Sequence, residues 1–132
     1  MSFELRDHTA DIAVAATGAT LGDAFGAVAD GMAAAMCEDV PDGGKRHQIS
    51  VTAESRDALL FDYLDELIYE RDIRGVLPVD NEVTVDDGRV GGSYRGVGLD
   101  AVDARDLKAV TYSEMEITDR GDEWELYVVF DV

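Results

Sequence analysis

Asp7-His8-Thr9-Ala10-Asp11 crowds two carboxylates, an imidazole and a hydroxyl into one short stretch. Asp and Thr in such a segment commonly bond nearby backbone amides and hold a turn. Carboxylates that converge with other oxygens have a second use, as ligands for a hard cation. The far end of the chain offers a matching feature in Phe130-Asp131-Val132, where the last strand runs out with no polar tail. Asp131 then lies beside the terminal main-chain oxygens, and the expectation is two negative charges close together. Oxygen-only clusters of this kind suit Ca²⁺ or Mg²⁺ better than zinc or copper.

Other reactive residue types offer less. Gly96-Val97-Gly98-Leu99-Asp100-Ala101 formally fits a dinucleotide fingerprint, but no long amphipathic helix follows it and its surroundings read as a hairpin. No phosphate-binding Walker loop occurs, the Asp-rich stretches miss the EF-hand spacing, and Arg120-Gly121-Asp122 reads as a hairpin tip. One Cys and two His cannot build a zinc site of the Cys/His type. Cys37, beside Met36 at a helix end, reads as a small buried residue.

The elements that must position these groups belong to a chain of 132 residues, the length of one domain, 1–132. A hydrophobic content of 46% is that of an ordinary globular protein. No apolar run is long enough to span a membrane, and the N-terminus lacks the basic and apolar regions of a signal peptide. A single cysteine excludes an intrachain disulfide, and a cytoplasmic setting is the expectation. Against 29 Asp+Glu stand only 11 Lys+Arg, a net charge of −18. That exceeds the magnitude of about 2–8 usual for a small domain. Direct nucleic-acid binding is disfavoured, because phosphate contacts need clustered Lys and Arg. The charge reads as adaptation to a salty, halophilic cytoplasm, where a Debye length of about 3 Å at molar salt removes most self-repulsion.

Hydropathy patterning orders the elements. Phe3-Glu4-Leu5 and Ile12 to Ala16 read as strands. Thr20 caps a helix over about residues 21–36, on which Leu21, Phe25, Val28, Met32 and Met36 recur at helical spacing. Residues 38–47 read as a loop, and Ile49, Val51 and Ala53 as a strand. Ser55 caps a second helix over about residues 56–73, with Leu60, Tyr63, Leu64, Leu67 and Ile68 on one face and Gly75 stopping it. Val83 and Val85 lead into an Asp86-Asp87-Gly88 turn and a return strand from Val90. Residues 99–106 read as loop, Ala109 to Ile117 as a strand, and Trp124 to Phe130 as the last strand. The expected class is α+β, a mixed, mainly antiparallel sheet with two helices on one face.

Four separated motifs then add a resemblance that covers essentially the whole chain. His8-Thr9-Ala10-Asp11-Ile12, Leu59-Leu60 with Leu64-Asp65-Glu66-Leu67, Lys108-Ala109-Val110-Thr111-Tyr112 and the final Asp131-Val132 occur in this order. Together they resemble the archease family. The resemblance implies a small cytoplasmic protein that assists an RtcB-type, GTP-dependent RNA ligase of tRNA splicing. It would promote guanylylation of the ligase and repeated turnover, and broaden its use of nucleoside triphosphates, with no reaction of its own. Carried over, the family's metal site falls on Asp11, Asp131 and Val132, the last through main-chain oxygen, with Ca²⁺ the better fit to oxygen ligands; two acids so far apart in sequence converge only if their strands lie near each other.

Lys108 lies inside a matched motif in a chain with only one other lysine, Lys45. Its ordinary fate is solvation at a strand start; beside the acids it could instead reach a nucleotide phosphate in the ligase. His8 either donates to the metal-binding carboxylates or steadies its turn. Ser113 follows Tyr112 where the family often has histidine, so no role of that histidine is transferred. Two other classes stay open. One is a small metal-dependent phosphoester enzyme using Asp11, His8 and Lys108. The other is a general acidic chaperone or interaction module, which would need an exposed apolar patch.

Overall fold

The computed structural model describes residues 2–7 and 11–132, with Arg6 and Asp7 described by backbone alone. Strands β1 (Ser2–Asp7) and β2 (Asp11–Gly18) are followed by helix α1 (Leu21–Met36), strand β3 (Lys45–Thr52) and helix α2 (Arg56–Arg74). Five further strands complete the chain: β4 (Val76–Asp86), β5 (Arg89–Gly98), β6 (Ala109–Val110), β7 (Glu116–Asp119) and β8 (Trp124–Asp131). Both helices start where the sequence places a cap. Thr20 Oγ1 accepts from the Asp23 amide at 3.0 Å, and Ser55 Oγ accepts from the Ala58 amide at 3.1 Å. Gly75, at φ 65°, ends α2 in the left-handed conformation that glycine adopts without steric cost.

The fold is α+β, with two helices and mainly antiparallel sheet as expected. Two details differ from the expectation of one mixed sheet. Every strand pairing among the described residues is antiparallel, and the strands form two sheets. One has the order β1-β2-β8-β6, with β7 also on β8; the other has the order β3-β5-β4. The helices are therefore not confined to one face of one sheet: α1 is packed from both sides. A β-carbon on Gly22 would fall 2.7 Å from the Val83 carbonyl oxygen of β4. One on Gly31 would fall 2.6 Å from Val14 of β2. Small residues at these positions let the two sheets close on α1, and Phe25, Val28 and Met32 are fully buried there. Burying each such side chain contributes on the order of 2 kcal/mol.

The expected strand from Ala109 to Ile117 is broken in two. Thr111 Oγ1 accepts from the Ser113 amide at 3.3 Å, and Glu114 takes φ 57°, which turns the chain between β6 and β7. Conversely, β3 begins at Lys45, inside the expected loop, because Lys45 pairs with Gly96 of β5. The Gly96–Gly98 stretch ends strand β5 and leads into a single turn of 3₁₀ helix, as a hairpin reading requires.

Candidate functional site

Alternation along β2 sends Val14 and Ala16 into the core and puts Asp11, Ala13, Ala15 and Thr17 on the opposite face. In β8, Leu126, Val128 and Phe130 face the core, which puts Asp131 on that same opposite face. The register then makes Asp11 and Asp131 direct partners across β2 and β8. On its other side Asp131 pairs with Ala109, and its carbonyl accepts from the Lys108 amide at 2.8 Å. Val129, two residues earlier, likewise accepts from the Thr111 amide at 3.0 Å. With its main-chain groups turned to β6, Asp131 forms a non-hydrogen-bonded pair with Asp11. Side chains approach most closely in such pairs, with β-carbons about 5 Å apart.

Asp11 is half-buried, Asp131 exposed, and Val132 half-buried with its side chain against the core. Among the described residues neither carboxylate has a hydrogen-bond or ion-pair partner. Like charges placed directly opposite each other are destabilising, so the pair is suited to a cation. Its chemistry fits a hard one: two carboxylates, with the main-chain oxygen of Val132 one residue from Asp131. No group of three or more His, Cys, Asp or Glu that could hold a metal is found among the described residues. A third ligand from these residues would therefore come from a group other than a His, Cys, Asp or Glu side chain, as the main-chain oxygen expected of Val132 would. His8 and Thr9, and the side chain of Asp7, lie outside the described residues.

Lys108 joins this corner through its main chain. Its side chain is exposed and makes no ion pair among the described residues, with Asp11 or Asp131 or any other acid. What fixes the segment is a residue that the sequence reading passed over. Arg71, on the buried side of α2, donates from Nη1 to the Leu107 carbonyl at 2.7 Å and to Met36 Sδ at 3.3 Å. Its Nε meets Asp72 at 3.0 Å. Leu107 is 1% exposed, so the chain immediately before Lys108 is anchored in the interior. At the other end of the motif Tyr112 stacks on Phe61 of α2, ring centroids 4.2 Å apart. A signal for Arg71 exists in the sequence: Leu60, Leu64, Leu67 and Arg71 follow one helical stripe, and an arginine on an apolar stripe needs a buried acceptor.

The fold and this corner define a class: small α+β proteins with a helix held between two antiparallel sheets and an acidic pair at one sheet end. Comparison with known proteins makes the class specific. The model of the Archease protein family (MTH1598/TM1083) matches residues 3–132. The chain is 32% identical over 140 residues to the protein archease of Pyrococcus furiosus, covering 98% of each. It is 30% identical over 145 residues to that of Methanosarcina barkeri, covering 98% of this chain and 95% of the relative. The solution structure of Methanobacterium thermoautotrophicum protein 1598 matches with a TM-score of 0.79 at 28% identity, over 98% of each chain. The crystal structure of an archease, possible chaperone (TM1083), from Thermotoga maritima matches in fold, with a TM-score of 0.66 at 22% identity over 96% of this chain and 94% of that one. The chain belongs to the archease family.

Proposed function

We propose that this protein is the activator of an RtcB-type tRNA-splicing RNA ligase. In this reading it promotes guanylylation of the ligase, allows repeated turnover and broadens the ligase's use of nucleoside triphosphates. It is a protein cofactor of that enzyme, with no reaction of its own. The observation that carries the reading is the meeting of Asp11, Asp131 and the Lys108 segment at one sheet end, in a chain of the archease family.

Asp11, Asp131 and the main-chain oxygen of Val132 would hold a divalent cation, with calcium the best fit to this donor set. Such an ion would cancel the repulsion between the facing carboxylates and tie the ends of β2 and β8 together. Lys108 is the group that reaches outward, as a point charge for a phosphate of the ligase's nucleotide. The net charge of −18 favours a basic, RNA-binding surface of the ligase as partner over RNA itself. No helix among the described residues is long and apolar enough to cross a membrane. A cytoplasmic location completes the proposal.

The test is a ligation time course with catalytic ligase, excess split RNA, GTP and a divalent metal at molar KCl. Addition of this protein should convert a single round of joining into many. Lys108→Ala should remove the stimulation while its melting temperature stays that of the parent. An unchanged time course, with ligase from the same source and calcium present, would refute the reading. Protection of unrelated aggregating proteins at the same concentrations would instead mark a general chaperone, the class of which the Thermotoga maritima structure's description speaks.

A further inference from the structure

The outward side of α2 has no covering element among the described residues and carries an unusual mixture. Tyr69 and Ile73, four residues apart and so neighbours on the helix, are each 55% exposed. Tyr112, stacked on Phe61 at the rim of the same helix, is 54% exposed. These are three of the five large hydrophobic side chains exposed among the described residues; the other two, Phe3 and Leu5, belong to edge strand β1.

Between Tyr69 and the helix start stand Asp62, Asp65 and Glu66, and α2 has no Lys or Arg from residue 57 to residue 70. Elsewhere three arginines are spent on acids: Arg46 on Glu82, Arg95 on Asp80, Arg120 on Glu125. On this face the three acids have no cation among the described residues. Partial burial, with Glu70 and Asp65 nearby, pushes the Glu66 carboxyl above its ordinary range.

The face is also continuous with the candidate site. Residues 107–112, which include Lys108, run along α2 between Arg71 at one end and the Phe61–Tyr112 stack at the other. A partner that reached Lys108 would meet Tyr112 and then the acids of α2.

We propose that the outward face of α2, with Tyr112 at its rim, is the docking surface for the ligase, and that it receives a patch of that protein in which Arg or Lys side chains surround an apolar contact. The inference rests on the ligase reading above and adds the surface through which it operates. Exposed tyrosines supply large, rigid contact area and are favoured as binding hot spots. The unpaired acids steer a cationic surface and repel an anionic one, which disfavours RNA, a lipid headgroup layer and a second copy of this chain. At molar salt the charges are largely screened, and Tyr69, Ile73 and Tyr112 then supply most of the affinity.

The experiment titrates this protein into the ligation assay and reads two quantities, the concentration giving half-maximal stimulation and the maximum reached. The probes are Tyr69→Ser with Ile73→Ser, and Asp62→Lys with Asp65→Lys; all four residues are solvent-exposed, and circular dichroism checks the fold. At molar KCl the Tyr69–Ile73 pair should raise the half-maximal concentration about tenfold or more, and the Asp62–Asp65 pair by a smaller factor that grows as the salt is lowered, with the maximum recovered at saturation for both, whereas Lys108→Ala should lower the maximum. A parent protein that stimulates, alongside variants with an unchanged half-maximal concentration, overturns the docking surface and leaves the ligase reading standing. A parent protein that does not stimulate at all overturns both. Sedimentation of the parent as a dimer that Tyr69→Ser dissociates would also overturn the proposal, by giving the face to a second copy.

Discussion

Asp11→Asn removes one of two carboxylates that β2 and β8 set face to face, and its effect on stability should change sign with calcium. Without a divalent cation, unit charges about 5 Å apart in nearly aqueous surroundings repel by about 1 kcal/mol. Salt at physiological strength reduces this, since the screening length is then about 8 Å. At low salt in EDTA the variant should therefore melt above the parent, by roughly 4 °C for a chain of this size. Calcium at about 100 times its dissociation constant adds about 2.7 kcal/mol to the folded parent, worth roughly 10 °C. The variant has lost a charged ligand and gains little, so the order of the two melting temperatures reverses. Differential scanning calorimetry in EDTA and across a millimolar calcium titration reads both halves. A parent indifferent to calcium refutes the metal site. A variant that melts below the parent in EDTA refutes the facing geometry, whatever calcium does.

Three further outcomes can be checked by thermal melts alone. Arg71→Leu takes the charged donor away from the Leu107 carbonyl in the interior; the loss should be about 3 kcal/mol, or roughly 10 °C, and a shift within 2–3 °C would show that the carbonyl finds another donor. Asp30, half-buried, accepts from the Asn81 amide and from Asn81 Nδ2, each at 2.9 Å. Burial nonetheless holds its carboxyl above the ordinary range, with the nearby Asp80 adding to the effect and Arg46 opposing it. A carboxyl raised by folding stabilises the protein while protonated, and that contribution is lost as pH rises through its native value. Asp30→Asn keeps an acceptor for both donors, so it should melt at or above the parent at pH 7 and converge with it in acid; a variant clearly below the parent at pH 7 would contradict this. Dilution from molar to millimolar KCl should lower the melting temperature of the parent, as expected for a net charge of −18; an unchanged value would remove the halophilic reading.

Helix ends were the most legible features of the sequence, because each is fixed by local chemistry. Thr20, Ser55 and Gly75 cap where their side chains, or lack of one, require. The Asp86-Asp87-Gly88 turn is legible for the same reason, with φ of 44° and 74° at its two central residues. Sheet membership was not legible. Alternation says which residues of β4 face a core, and is silent on whether that core lies beneath β2 or across α1 from it. The split between β6 and β7 was hidden too, since Ala109 to Ile117 alternates acceptably and only the Thr111–Ser113 bond and the turn at Glu114 break it. At the site, the sequence supplied residue types and a condition, that two strand ends must adjoin. The register of β2 with β8 meets that condition for Asp11 and Asp131. It brings in Lys108 by its backbone and leaves its ammonium apart. Arg71 was visible as an oddity on an apolar stripe, with nothing to indicate that its acceptor lies 36 residues later.

A corner built from charged side chains that make no ion pair among the described residues is positioned here by its backbone. β2 and β8 pair without interruption from Gly18 and Trp124 to Asp11 and Asp131. A slip of β2 by one residue against β8 would turn Val14 and Ala16 out of the core and Asp11 into it, so the same burial that stabilises the sheet sets the two carboxylates opposite each other. The Lys108 segment is held just as firmly, by the Arg71 bond to Leu107, the Lys108 amide bond to Asp131 and the Thr111 bonds to Val129. What stays free is the set of charged tips. With no ion pair among the described residues, Asp11, Asp131 and Lys108 are left for an ion or for another protein, and the fixed backbone decides where they are presented.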